Sequence, residues 1–161
     1  MTPPALSDRL EEEISRAGRQ ETPLSCLLVV IENLDQLSRE HGEELREQTL
    51  GYVAGALGRE LRRFDRVGRP SEGELAIVLP GADGPRGEIV ARRVLDRLRT
   101  IKVEAKGARR ALRVSVGLAA WRDGSDAKDL LARARVAAGS SNGEEALTGT
   151  HSPPPLGRDA P

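Results

Sequence analysis

Aromatic side chains are nearly missing from this chain: one Trp, one Tyr and one Phe make up 2% of 161 residues. Base recognition by stacking on aromatic rings is therefore excluded as a general binding mode. Cysteine is scarce too. Cys26 alone permits no intrachain disulfide and no cluster of thiolate ligands, and its place in the apolar run LSCLLVVI predicts a buried, inert thiol. Neither charge sign is in excess, since 25 Lys and Arg balance 25 Asp and Glu. Without a basic surplus the chain is no general binder of nucleic acid or of membrane surfaces, and neither is expected as a partner. No apolar stretch approaches the roughly 18 residues of a membrane-spanning helix, and the opening MTPPALSDRLEEE lacks an apolar targeting core. A cytoplasmic protein is the expectation. Internal repeats are absent as well.

What is present is a length that suits one domain with a real core, and a surface dense in charge at 31%. Asp8-x-x-Glu11 matches a capping box, and Leu10, Ile14 and Ala17 share a face, which predicts a helix over about 7–19. Leu24–Ile31 is a continuous apolar run, as for a central strand buried on both faces. Leu45, Thr49, Tyr52, Val53, Ala56, Leu57 and Leu61 recur at helical spacing and predict one long helix to about Arg63. Gly51, Gly55 and Gly58 weaken that helix by up to ~1 kcal/mol each relative to alanine, or allow close packing on a sheet.

DRVGRPSEGELAIVLP (65–80) reads as two short strands around a turn at Pro70-Ser71-Glu72-Gly73. Its tip carries Glu72 and Glu74 close to a glycine, which suits an active site, the remains of one, or a solvated turn. GADGPRG (81–87) is a loop before a helix marked by Ile89, Val90, Val94, Leu95 and Leu98; it offers backbone N–H groups to an anion or is a plain helix start. Leu112, Val114, Val116 and Leu118 alternate with Arg113, Ser115, Gly117 and Ala119, which predicts a half-buried strand. A strand near 101–104 is expected to pair with it across Lys106-Gly107. Asp126–Ala138 closes the domain as a helix with Leu130, Leu131 and Ala134 inward, and the Gly, Ser and Pro-rich segment 139–161 reads as a disordered tail. His41 and His151 are expected to be solvated, and Trp121 to anchor the edge of the core. GRPSEG (68–73) lacks the spacing of a nucleophile elbow.

The element order is α-β-α-β-β-α-β-α. Its middle, β-α-β-β-α-β, is the ferredoxin-like arrangement: an α+β, palm-type fold with an antiparallel sheet and helices on one face, as one domain over 7–138.

Residues at specific places now resemble the GGDEF family, the diguanylate cyclase domain, of bacterial signalling. RVSVGLAA (113–120) is similar to that family's V-S-x-G-x-A strand, and LLARARVAA (130–138) to its closing helix. IENLDQLSREHGEEL (31–45) falls in the region after the first strand, with Gly42 on the Y-G-H glycine. DRVGRPSEGELAIVLP aligns without a gap to D-x-x-x-R-Y-G-G-D-E-F-x-x-x-L-P, placing Asp65, Arg69, Glu74, Leu79 and Pro80. Ser71, Glu72, Gly73, Glu74 and Leu75 are then an altered signature. The resemblance implies a nucleotide-cyclase-like fold.

The departures bear on chemistry. A diguanylate cyclase joins two GTP molecules and needs oxygen ligands for divalent metal beside the triphosphates. The family's first metal-binding Asp aligns with Val30, and the acidic third signature residue with Gly73. Ser71 and Glu72 replace the two glycines that let the backbone approach the nucleotide, Ser38 replaces the guanine-binding Asn, and Glu47 stands at the later Asp. The phosphate-binding Lys and Arg after the closing helix are replaced by GSSNGEE. Glu32 and Glu74 survive as carboxylates. The resemblance therefore implies no catalytic residues, no metal site and no cofactor, with magnesium only if a residual GTP site exists.

One family feature is kept. Arg62-Arg63-Phe64-Asp65 has the Arg-x-x-Asp register that binds cyclic di-GMP in many members. Arg62 and Asp65 would bind guanine, Arg63 a phosphate, and the ligand would cross-link a homodimer. Read from the residues alone, Arg62 equally offsets a helix dipole and Asp65 equally starts a strand through a turn. The functional expectation is a catalytically inactive cyclic di-GMP receptor. The alternatives are a nucleotide-free module that binds a protein partner and a cyclase with an unusual metal site.

Overall fold

The structure is a computed structural model that describes residues 3–62, 65–105 and 107–139. The expected tail from 140 onward lies outside the described residues, as does Arg63. The chain runs α1 (Pro3–Gln20), β1 (Leu24–Ile31), α2 (Leu34–His41), α3 (Glu43–Glu60), β2 (Arg66–Gly68), β3 (Glu74–Pro80), α4 (Gly84–Arg99), β4 (Lys102–Ala105), β5 (Ala108–Ala111), β6 (Val114–Ala120) and α5 (Ala127–Gly139). Four strands form an antiparallel sheet in the order β2-β3-β1-β6. That is the ferredoxin-like order, with β1 in the middle. None of the described helices is long and apolar enough to cross a membrane.

β1 matches its expected bounds because its apolar run has two faces to bury. Leu27, Val29 and Ile31 join the core under α2, α3 and α4, whereas Leu24, Cys26 and Leu28 join the one under α1 and α5. Helices thus cover both faces of the sheet, not one. α3 and α4 are the crossover helices of the ferredoxin-like unit; α1 and α5 add a second layer.

Burial on both faces also corrects β6. It was expected to be half-buried, but Ser115 to Ala119 are all buried. The residues that alternate with its apolar positions are small because α5 lies on them. A Cβ on Gly117 would come within 2.2 Å of the Ala134 carbonyl oxygen and 2.3 Å of the Ala138 nitrogen. β6 pairs with β1, and β4 pairs instead with β5 in a separate two-stranded sheet turned at Gly107, φ 77°.

The long helix expected from Leu45 is α3, which ends at Glu60, and a shorter helix that was not expected, α2, precedes it. Gly42, at φ 99°, breaks the chain between α2 and α3 in a conformation that side chains disfavour. Gly51, Gly55 and Gly58 do not pack on the sheet: all three are exposed, and a Cβ on any of them would meet nothing within 4 Å. The loop at 81–87 is a helix start. Asp83 caps α4 by accepting a hydrogen bond from the Arg86 N–H at 3.0 Å, which places a carboxylate where an anion would sit. Trp121 sits at the edge of the α1–α5 core and donates its Nε1–H to the Ser125 carbonyl at 3.0 Å.

Candidate functional site: a hairpin clamped by two arginines, and an Arg–Asp turn

The β2–β3 hairpin carries the altered signature to the end of β1. Gly73, at φ 76°, turns its carbonyl to accept from the Ile31 N–H at 3.0 Å, which seats the turn against the central strand. Leu75 points into the core. Glu74, paired with Val30 in the sheet register, sits at the start of β3 with its carboxylate fully engaged. Arg135, from α5, donates from Nε and Nη2 to its two oxygens, both at 2.9 Å, and the Ser71 hydroxyl donates at 2.7 Å. The Arg135 guanidinium, then the Ser71 hydroxyl, holds the Glu74 carboxyl below its ordinary range against the opposing effect of burial.

Glu72 is clamped from the other side. Arg46, on α3, donates from Nε to Glu72 at 2.7 Å and from Nη1 to Asp35 at 2.8 Å, and its Nε lies 3.6 Å from Glu43. The residue is only 7% exposed although it is an arginine. Asp35 foremost, and Glu72 with it, pushes its pKa further up, so it is a fixed cation. Arg69 lies 3.6 Å from Glu47, and Glu32 accepts a hydrogen bond from the Ser115 hydroxyl.

This donor set does not fit a divalent cation. A metal would have to displace a guanidinium from each hairpin carboxylate, and the Val30 side chain supplies no oxygen. No group of three or more His, Cys, Asp or Glu among the described residues is placed to hold one. As it stands, the hairpin binds two helices.

The Arg-x-x-Asp residues meet at a different place, beyond α3. Asp65 Oδ2 accepts from the Arg62 backbone N–H at 2.8 Å, and the Asp65 N–H donates to the Arg62 carbonyl at 3.1 Å, closing a tight turn. The Arg62 Nε lies 3.8 Å from the same Oδ2, and its Nη2 donates to the Pro80 carbonyl at 3.0 Å. The Arg62 side chain is 51% exposed and that of Asp65 1%. Asp65 Oδ1 is buried without a hydrogen-bond partner among the described residues.

Arg46 and Arg135 were missed in the sequence. A signal for Arg46 was there: it heads the stripe Leu50, Val53 and Leu57 at i+4, i+7 and i+11, a buried face on which a cation demands partners. His41 needs correction. Its side chain, at the end of α2, is largely buried, and neither ring nitrogen has a hydrogen-bond partner among the described residues. Cys26 is as expected, with burial pushing its thiol up to about 12.

An antiparallel sheet in this order, with a signature-position hairpin at the end of its central strand, defines a palm-type domain of the nucleotide-cyclase kind. The chain belongs to the GGDEF family: the family described as "Diguanylate cyclase, GGDEF domain" matches residues 4–143. It is a domain of cyclic di-GMP signalling. It is 26% identical over 123 residues to the diguanylate cyclase DgcP of Pseudomonas aeruginosa, covering 76% of this chain and 18% of that protein. It is 29% identical over 122 residues to the diguanylate cyclase DosC of Escherichia coli, covering 75% and 26%. The chain thus spans only a minor part of the length of these curated relatives. Among solved structures it is similar to the diguanylate cyclase SiaD of Pseudomonas aeruginosa, solved with its activator SiaC, with a TM-score of 0.79 and 26% identity over 84% of this chain and 52% of that one. The GGDEF domain of DgcB from Caulobacter crescentus, solved with cyclic di-GMP, shares the fold with a TM-score of 0.81 at 19% identity, covering 87% and 84%.

Proposed function

We propose that this GGDEF domain reads cyclic di-GMP rather than makes it. The observation that carries the catalytic half is the double clamp: Arg135 on Glu74 and Arg46 on Glu72. Phosphoryl transfer needs carboxylates free to hold metal beside the triphosphate, and here both hairpin carboxylates are neutralised by the protein's own cations. Incubation with GTP and magnesium, followed by chromatography of the products, tests this half. No cyclic di-GMP should form. Magnesium-dependent product that disappears in Glu74→Ala would overturn it.

The receptor half rests on Arg62 and Asp65, which the fold brings to one turn. Arg62 presents a half-exposed guanidinium suited to guanine O6 and N7, and one carboxylate oxygen of Asp65 has no hydrogen-bond partner among the described residues. Engaging Asp65 requires the turn to open, because its side chain is turned inward. Arg63 completes the proposal as a phosphate contact, and a dimer cross-linked by the ligand is the expected assembly.

One observation favours a second reading, a module that binds a protein partner without nucleotide. Asp65 is already used as a turn-former, accepting the Arg62 N–H. SiaD was solved with a protein activator, which makes a protein partner a reasonable form of control here too. The Arg62→Ala, Asp65→Ala double change separates the readings: it abolishes regulation of a partner under the first and leaves it intact under the second.

A further inference from the structure

Away from the hairpin and from Arg62, a cleft of about 340 Å³ opens between α3 and the β4–β5 hairpin. We propose that it binds a small aromatic anion, a flat ring carrying a carboxylate or a phosphate.

The floor is apolar. Leu45 and Ile101 are buried core residues that also line the cleft. Thr49 lines it as well. It is 2% exposed, and its Oγ1, closed off from solvent, has no hydrogen-bond partner among the described residues. A buried hydroxyl left unpaired is costly, and a ligand that parts the cleft wall and bonds it removes the cost. On one wall stands Tyr52, 64% exposed and one of the few large apolar side chains left in solvent, where its ring can stack on another. The mouth is cationic. Lys102 and Arg109 both line the cleft, both are exposed, and neither forms an ion pair among the described residues. Glu104, across the hairpin from Arg109, is the one acid in the lining, so the mouth keeps a net positive charge.

An apolar floor with two uncharged polar residues, Gln48 and Thr49, an aromatic wall and two cations without an ion-pair partner among the described residues is the usual composition of a small-molecule site. Each part selects something. The floor and Tyr52 select a flat apolar body, Thr49 a hydrogen-bonding atom on it, and Lys102 with Arg109 a negative group at its outer end. The inference does not depend on how Arg62 and Asp65 behave, because no residue of that turn lines the cleft.

The test is an NMR titration of the full chain with 1-naphthoate as the anionic probe and 1-naphthamide as its neutral counterpart. Saturable binding of 1-naphthoate is expected. Lys102→Glu with Arg109→Glu should weaken it by about fivefold or more while changing 1-naphthamide by less than about twofold. Thr49→Val keeps the shape of the side chain and should weaken both probes with an unchanged circular dichroism spectrum. It keeps the proposal testable if the charge reversal disturbs the hairpin. Absence of saturable binding to the folded protein, or variants that leave the affinity for 1-naphthoate unchanged, would overturn the proposal.

Discussion

Arg135 and Glu74 sit 61 residues apart in the chain and form the best-aligned ion pair at the hairpin, with two parallel hydrogen bonds of 2.9 Å. Because the folded Glu74 carboxyl lies below its ordinary value of 4.5, its stabilising effect is fully present above that pH and is lost as pH falls through the lower folded value. Arg135→Ala should therefore lower stability near neutrality by about 0.5–1 kcal/mol, since Arg135 is half exposed, and should narrow its gap to the parent protein in acid. Urea midpoints measured across the acid range check this; a gap independent of pH would contradict it. Arg46 is more deeply placed. Arg46→Ala leaves Asp35, Glu43 and Glu72 facing one another without a cation and should cost about 1–3 kcal/mol, with partial recovery in high salt. Pairings 26 and 61 residues apart leave no local pattern, so Glu72 and Glu74 could not be read from the sequence as the partners of Arg46 and Arg135. Arg62 and Asp65 were legible because three residues of spacing is a local property. The inward turn of Asp65 was not, since it depends on what packs around the turn.

At the scale of single elements, the glycines divide by environment. Gly117 lies under α5 with backbone atoms 2.2 Å from any added Cβ, and no side chain can move aside to relieve that. Gly117→Ala should cost about 3 kcal/mol, read as a lower denaturant midpoint. Gly55 is exposed in α3 with open space around it, and Gly55→Ala should stabilise by about 0.5–1 kcal/mol. A stabilising Gly117 variant or a destabilising Gly55 variant would contradict this assignment. The contrast explains which elements could be read in advance. β1 was legible to the residue because an eight-residue apolar run has one simple solution. β6 was misread as half-buried because Ser115, Gly117 and Ala119 look solvent-facing by hydropathy while being small for packing. α2 was missed because Leu34 and Leu37 are its only buried residues, too few for a periodic signal. β4 was assigned to the wrong partner and β5 was not expected, because each strand is only four residues long.

Over the whole molecule, element order was enough to reach the ferredoxin-like sheet, because β-α-β-β-α-β has few ways to close around a central first strand. The second helix layer was not legible, since flanking helices such as α1 and α5 can pack on a sheet or leave it. That layer supplies Arg135, so the same misreading hid half of the hairpin clamp. The domain that results has its signature hairpin tied to α3 and α5 and its Arg62 guanidinium on a separate turn half open to solvent. Under the proposed function, ligand recognition has outlived synthesis. This is tested most directly by calorimetric titration of cyclic di-GMP into the full chain, with the Arg62→Ala protein titrated in parallel. Micromolar or tighter binding by the parent chain, and none by the variant, is the expected result. No heat from the parent chain, or binding unchanged in the variant, would contradict it.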